Sequence, residues 1–199
     1  MELTKPTNEE SRVAALEKYA ILDTDPELAF DDLTLLASYV CETPIALISL
    51  IDGERQWFKS RVGISVAETS RDVALCSTAI LQPDVFVVPD ALADERFRDN
   101  PLVVSEPHIR FYAGAPLITE DGFALGTLCV IDQKPRELAS DEKEALKALS
   151  RLVLAQLEFR RNLMLLKEAL NDRTKDEHER QAECQKLQAT LMRVLQLHS

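Results

Sequence analysis

From Ser140 to the C-terminus the chain contains neither glycine nor proline and is written mostly in Ala, Leu, Glu, Lys, Arg and Gln, the strongest helix formers. Its apolar positions recur in sevens. One row runs through Leu149, Gln156, Leu163, Leu170, Glu177, Cys184 and Leu191. The other runs through Leu152, Phe159, Leu166, Arg173, Arg180, Leu187 and Val194. These are a and d positions of a coiled coil, apolar at both ends and polar in the middle. Ser140-Asp141-Glu142-Lys143 opens the helix like a capping box, with Lys where Glu or Gln would close it. Leu146, Leu149, Val153 and Leu157 are expected to cover a sheet. Phe159, Leu163, Leu166, Leu170, Leu187, Leu191 and Val194 are expected to form a seam with a second copy. Between the two apolar stretches, Arg173, Glu177 and Arg180 should weaken pairing, so a bend or fraying is expected first in residues 171–181.

Upstream the pattern changes period. Asn8 to Tyr19 reads as a helix capped by Asn8, with Val13, Leu16 and Ala20 inward. Asp25 and Pro26 are expected to cap a second helix that buries Phe30, Leu33, Ala37 and Val40. Pro44 to Ile51 is too short and too β-branched for a helix and predicts a central strand covered on both faces. Strands follow at Gln56–Ser60, after the Asp52-Gly53 turn, and at Val85–Val88, with a short helix over Arg71–Leu81 between them. Arg110–Leu117 and Phe123–Ile131 form two more strands, joined at Glu120-Asp121-Gly122 as a hairpin. The order predicts an α+β domain: a mostly antiparallel sheet, terminal helices on one face and a crossover over residues 91–107 on the other. A pocket is expected beneath that crossover. The chain then divides into an N-terminal helix (1–20), a sheet domain (21–158) and a coiled-coil helix (159–199).

Composition narrows the partners. The net charge is −11, while the residues from Asn171 onward balance, so the acidity lies in the sheet domain. An acidic surface repels phosphate backbones and anionic lipid, which excludes nucleic acid and membrane as expected partners. The first residues have no apolar core of a signal peptide, and the four cysteines are dispersed without CxxC spacing. Reduced thiols in a cytoplasmic protein are expected.

Several segments together resemble a GAF domain: Ile21-Leu22-Asp23-Thr24-Asp25-Pro26-Glu27, Pro44–Leu50 with Arg55–Ser60, Arg71-Asp72 with Cys76, Ala113–Leu117, and Gly126–Asp132. The likeness spans roughly residues 8–165 and is to the bacterial subgroup found ahead of histidine kinase or diguanylate cyclase outputs. It implies a sensory, dimerising signal-transduction module, including roles in two-component systems. A small molecule would sit between sheet and crossover, and a kinase or cyclase output would lie downstream. The implied pocket residues are Trp57, Cys76, Phe86, Asp90, Phe97, Tyr112, Thr127 and Cys129, with Arg71 and Arg110 as anion candidates. Ligand binding would move the crossover and the last hairpin, and so the angle at which the long helix leaves.

Some family chemistries find no residues here. Covalent bilin attachment needs a cysteine in the crossover helix, and Asp99–Val103 has none, so the cofactor is left undetermined. The cyclic-nucleotide signature of Asn-Lys-Phe-Asp-Glu is missing. His108 beside Pro107 reads as a turn residue, not a haem ligand. His178 lacks the rest of a phosphoacceptor motif. No metal-ligand cluster or Ser-His-Asp set is found, so the chain is expected to be non-enzymatic. The alternative is a cysteine-based enzyme akin to the free methionine sulfoxide reductases, using Cys76. These enzymes need a resolving thiol, and Cys129 is the one candidate. A further alternative is a structural dimeriser whose pocket Phe86, Phe97, Phe111 and Tyr112 fill.

Overall fold

The computed structural model describes the backbone of residues 6–196 and the side chains of residues 6–188 and Arg193. Two compact units follow one another, Met1–Glu158 and Phe159–Ser199.

Helix α1 (Glu9–Glu17) opens the first unit. Asn8 precedes it but makes no side-chain cap bond. The inward face is Arg12, Ala15 and Leu16; of the expected Val13, Leu16 and Ala20, Leu16 is buried, Val13 is half-buried, and Ala20 is exposed with left-handed backbone beyond the end of the helix. Arg12 can be buried because its guanidinium is paired with Glu9 and donates to the Ala124 carbonyl.

Helix α2 (Leu28–Val40) starts two residues after Pro26, without a side-chain cap. Lys59 organises its approach instead. That ammonium is fully buried and donates to Thr24 Oγ1, the Asp25 carbonyl and Glu27 Oε1 at 2.6–2.9 Å. Every N–H of the cation is thereby satisfied, which is what makes its burial tolerable. The helix buries Phe30, Thr34 and Ala37, with Leu33 partly covered; Val40, expected inside, is outside. Leu28, Leu35, Leu36 and Tyr39 form an exposed outer face, Tyr39 being 81% exposed.

The sheet has six strands: β1 (Ile45–Ile51), β2 (Arg55–Val62), β3 (Glu68–Ser70), β4 (Phe86–Val88), β5 (Phe111–Ile118) and β6 (Ala124–Asp132). Their order is β3-β2-β1-β6-β5-β4, and every pairing is antiparallel. The short edge strand β3 is unforeseen. Residues 71–81 form a 3-10 turn (Arg71–Val73) and a single turn of helix α3 (Cys76–Ala79), less than the helix expected there. The crossover carries another single turn, α4 (Pro101–Val104), started by the Asn100 side chain accepting from Leu102 N–H. Gly122 supplies the left-handed backbone that the β5–β6 hairpin needs.

Strand alternation separates two cores. Ala46, Ile48, Leu50, Leu128 and Val130 face α1, α2 and the first turns of α5 (Ser140–Gln196) through Leu146, Val153 and Leu157. Ile45, Leu47, Ile51, Cys129 and Ile131 face α3 and the crossover. Both faces of the central strand are thus covered, as its continuous apolar run predicts. α1 contributes Ala15 and Leu16 to the first of these cores, so residues 6–20 do not stand apart from the sheet domain.

Helix α5 begins with a cap one residue out of the expected register. Glu142, not residue 143, reaches back to accept from Ala139 N–H at 2.7 Å. In the second unit the helix runs unbroken through 171–181, where Arg173 Nε meets Glu177 Oε1 at 3.3 Å. Phe159, Leu163, Leu166, Leu170 and Leu187 are all exposed on this helix. Leu191 and Val194 lie outside the described side chains.

Candidate functional site

A cavity of about 400 Å³ opens on the crossover side of the sheet. Ile45 and Leu47 of β1, Phe58 of β2, Ile131 of β6 and Tyr112 of β5 supply the sheet wall. Residues 63–66 and Leu75 close one side, and Leu102, Glu106, Pro107 and Ile109 of the crossover close the other. Its lining is apolar apart from Gln56, Ser65, Thr69, Cys76, Glu106 and the Tyr112 hydroxyl. Among the described residues that line it there is no Lys, Arg or His.

Behind the wall lies a buried polar cluster. Tyr112 donates to Cys76 Sγ at 3.2 Å, and the sulfurs of Cys76 and Cys129 are 3.7 Å apart. Gly114 leaves room for this arrangement, since a Cβ there would stand 2.3 Å from the Tyr112 hydroxyl oxygen. Ser49 and Thr127 are paired across β1 and β6. Their hydroxyls are buried without a partner of good geometry and lie close enough to favour charge on the Cys76 sulfur. Burial pushes the Cys76 thiol up, but donors from Cys129, Thr127, Tyr112 and Ser49 more than offset it and bring it below the ordinary thiol value. Cys129 is driven the other way by its bond to Cys76 and by burial. Cys76 is therefore the more acidic thiol of the pair.

Of the pocket residues expected from the sequence, Cys76 and Tyr112 reach the cavity wall, while Thr127 and Cys129 lie in the layer behind. Trp57 is a correction: it belongs to the core beneath the helices, because β2 gives its crossover-side position to Phe58. Phe86 packs on Phe97 and on Tyr112 with ring centroids 6.1 and 6.2 Å apart, and both phenylalanines lie beneath the crossover and away from the cavity lining. The Arg96 guanidinium lies over the Phe86 and Phe97 rings. Phe111, expected among the filling aromatics, faces the helices. Asp90 accepts from Leu92 N–H and organises the chain entering the crossover.

Neither anion candidate is available for the cavity. Arg71 is buried and bonded to Glu9 and to the Asp52 carbonyl. Arg110 donates to the carbonyls of Val103 and Ile109 and so pins the crossover. His108 is half exposed, with Nε2 3.8 Å from Glu106. No group of side chains with metal-binding arrangement occurs among the described residues.

Gln56 is the residue that sequence reading missed. It is 4% exposed, its Nε2 donates to Thr69 Oγ1 at 3.2 Å, and its Oε1 has no partner. Alternation with Phe58 along β2 was the signal that could have found it.

The sequence and the fold have known counterparts. A region of 153 residues, 76% of the chain, is 45% identical to a cyclic di-GMP phosphodiesterase of Pseudomonas aeruginosa. The match spans only 26% of that relative's length. The GAF domain of an Acinetobacter phosphoenolpyruvate-protein phosphotransferase superposes with a TM-score of 0.56 at 15% identity, over 77% of this chain and 95% of that one. The free methionine-R-sulfoxide reductase of Neisseria meningitidis, solved with its substrate, superposes with a TM-score of 0.55 at 12% identity, over 82% and 98%. Among the described residues no helix is long and apolar enough to cross a membrane. The family model for the GAF domain matches residues 25–157, and with it the chain belongs to the GAF domain family.

Proposed function

We propose that this chain is a non-enzymatic regulatory GAF module. A small molecule held under the crossover biases the start of α5, and two copies pair through their helices to control an output that acts on cyclic di-GMP. The observation that carries the reading is the continuity of β6: Ile131 lines the cavity, and the strand ends one residue later in the short connection to α5. A ligand that prefers one position of this strand would shift the helix that follows, in proportion to its differential affinity. The 45% identity to the Pseudomonas phosphodiesterase supports the choice of output.

Pairing is supported by the apolar outer face of α2 and by Leu152, all exposed in the first unit. Phe159, Leu163, Leu166 and Leu170 continue the heptads in the second. Apolar stripes of this kind are retained where a second copy covers them. Light scattering on the purified chain, with an absorbance spectrum of the same sample, tests the proposal. A dimer is expected, and a monomer at tens of micromolar overturns the pairing.

The 3.7 Å approach of Cys76 and Cys129 favours a second reading, a thiol-based sulfoxide reductase. Cys76 would attack the sulfoxide sulfur, releasing the thioether and leaving a sulfenic acid. Condensation with the Cys129 thiol would then give a disulfide and water, and an external dithiol would restore the pair. Against it, a free amino acid would bring a carboxylate into a cavity whose described lining offers no cation. Release of methionine from free methionine sulfoxide with dithiothreitol as reductant would establish this second reading.

A further inference from the structure

We infer that the cavity takes a neutral, mostly apolar molecule of about bicyclic size that carries one N–H or O–H donor, received by Gln56. This assignment of class presupposes that the cavity is the ligand site proposed above.

Size comes first. An apolar cavity of roughly 150 Å³ accepts benzene, so one of about 400 Å³ has room for fused rings. Charge comes second. The one carboxylate among the described residues of the wall is Glu106, whose side chain is 85% exposed and stands at the rim near His108. Both arginines that might have served an anion are committed elsewhere, Arg71 to Glu9 and Arg110 to backbone carbonyls. A phosphate or carboxylate inside would lose its hydration with no compensating cation, a cost that excludes it.

The donor follows from Gln56. Its amide is oriented by Thr69 on the paired edge strand, since Gln56 and Thr69 are opposite one another in the β2–β3 register. With Nε2 engaged, Oε1 is left as a buried acceptor on a residue that lines the cavity. A buried acceptor without a partner is costly to leave unmade, and a ligand donor placed there removes that cost. Of the other polar groups of the wall, Cys76 and Tyr112 are bonded to each other, Thr69 accepts from Gln56, and Ser65 and Glu106 are exposed to solvent.

Calorimetric titration of the full chain with indole, with indene, its analogue lacking the N–H, and with benzoate tests this. Indole is expected to bind about five-fold more tightly than indene, the order of one neutral hydrogen bond, and benzoate not at all. In Gln56→Met, checked for folding by its melting curve, indole should fall to the affinity of indene while indene is unchanged. Equal binding of indole and indene to the unaltered chain would overturn the donor requirement. Preferred binding of benzoate would overturn the neutral class. Either result leaves the cavity as a ligand site. Binding of none of the three at millimolar concentration would overturn the inference and the ligand-site reading together.

Discussion

Asp132 Oδ2 accepts from Arg136 Nε at 2.6 Å, and the same guanidinium donates to the carbonyls of Cys41 and Glu42 at the end of α2. One side chain therefore ties the last residue of β6, the end of α2 and the approach to α5. The cavity wall at Ile131 is one residue away.

Arg136→Ala should release this junction. A charge-assisted bond and two carbonyl contacts are lost, so the stability should fall by about 2 kcal/mol. Hydrogen exchange should report faster opening of residues 133–146, with little change in β1 and β2. Unchanged protection there would remove Arg136 from the proposed path.

Acid should loosen the α1 anchor. Burial alone would raise the Glu9 carboxyl, but hydrogen bonds from Arg12 and Arg71 bring it down from 4.5 to about 2. A carboxyl depressed in the folded state contributes stability above its unfolded value, and that contribution is lost as pH falls from about 4.5 to about 2. Glu9→Gln should flatten the pH dependence of the melting temperature in that window. It should also lower the melting point at neutral pH by about 5 °C.

Thiol alkylation of the native chain should proceed in a fixed order. Cys184 is exposed and should react first. Cys41 is buried, and burial together with the nearby Glu142 carboxylate pushes its thiol up to about 11, so it should be inert until unfolding. Cys76 and Cys129 should wait for opening of the crossover. In Cys184→Ser no fast thiol should remain, and rapid modification of Cys76 would move the balance toward the redox reading.

Pairing of the long helix should be limited by its polar centre. Arg173 and Glu177 are bonded to each other along the helix and offer no apolar surface at their heptad positions. Replacing Glu177 and Arg180 together with Leu should tighten the proposed dimer on the order of tenfold, read by sedimentation at low concentration. A looser or unchanged dimer would place the seam elsewhere.

The elements that read correctly from sequence are those whose patterning is local. The Ile45–Ile51 run, the Asp121-Gly122 hairpin and the glycine-free helix each carry their signal within a few residues. Where the reading failed, a distant residue decided the outcome. Arg71 is buried because Glu9, far away in sequence, neutralises it. The approach to α2 is fixed by Lys59 from β2, which donates to Thr24, the Asp25 carbonyl and Glu27, and no side chain caps the helix. Family likeness implies Trp57 at the cavity, whereas alternation with Phe58 sends it to the helices. Gln56 carries no special residue type, so only its strand parity marked it. β3 is too short to show a period at all.

The strand β6 has a consequence for what lengths the chain can tolerate. Leu128 and Val130 serve the helical core, while Cys129 and Ile131 serve the cavity side. Inserting or deleting one residue within the strand would exchange these sets from that point on, seating Val130 among the thiols and Ile131 under the helices. Conservative substitution at any one of these positions disturbs a single neighbourhood, whereas a change of length disturbs both at once. Insertions should therefore be confined to the Glu120–Gly122 turn, where neither side of the sheet keeps count.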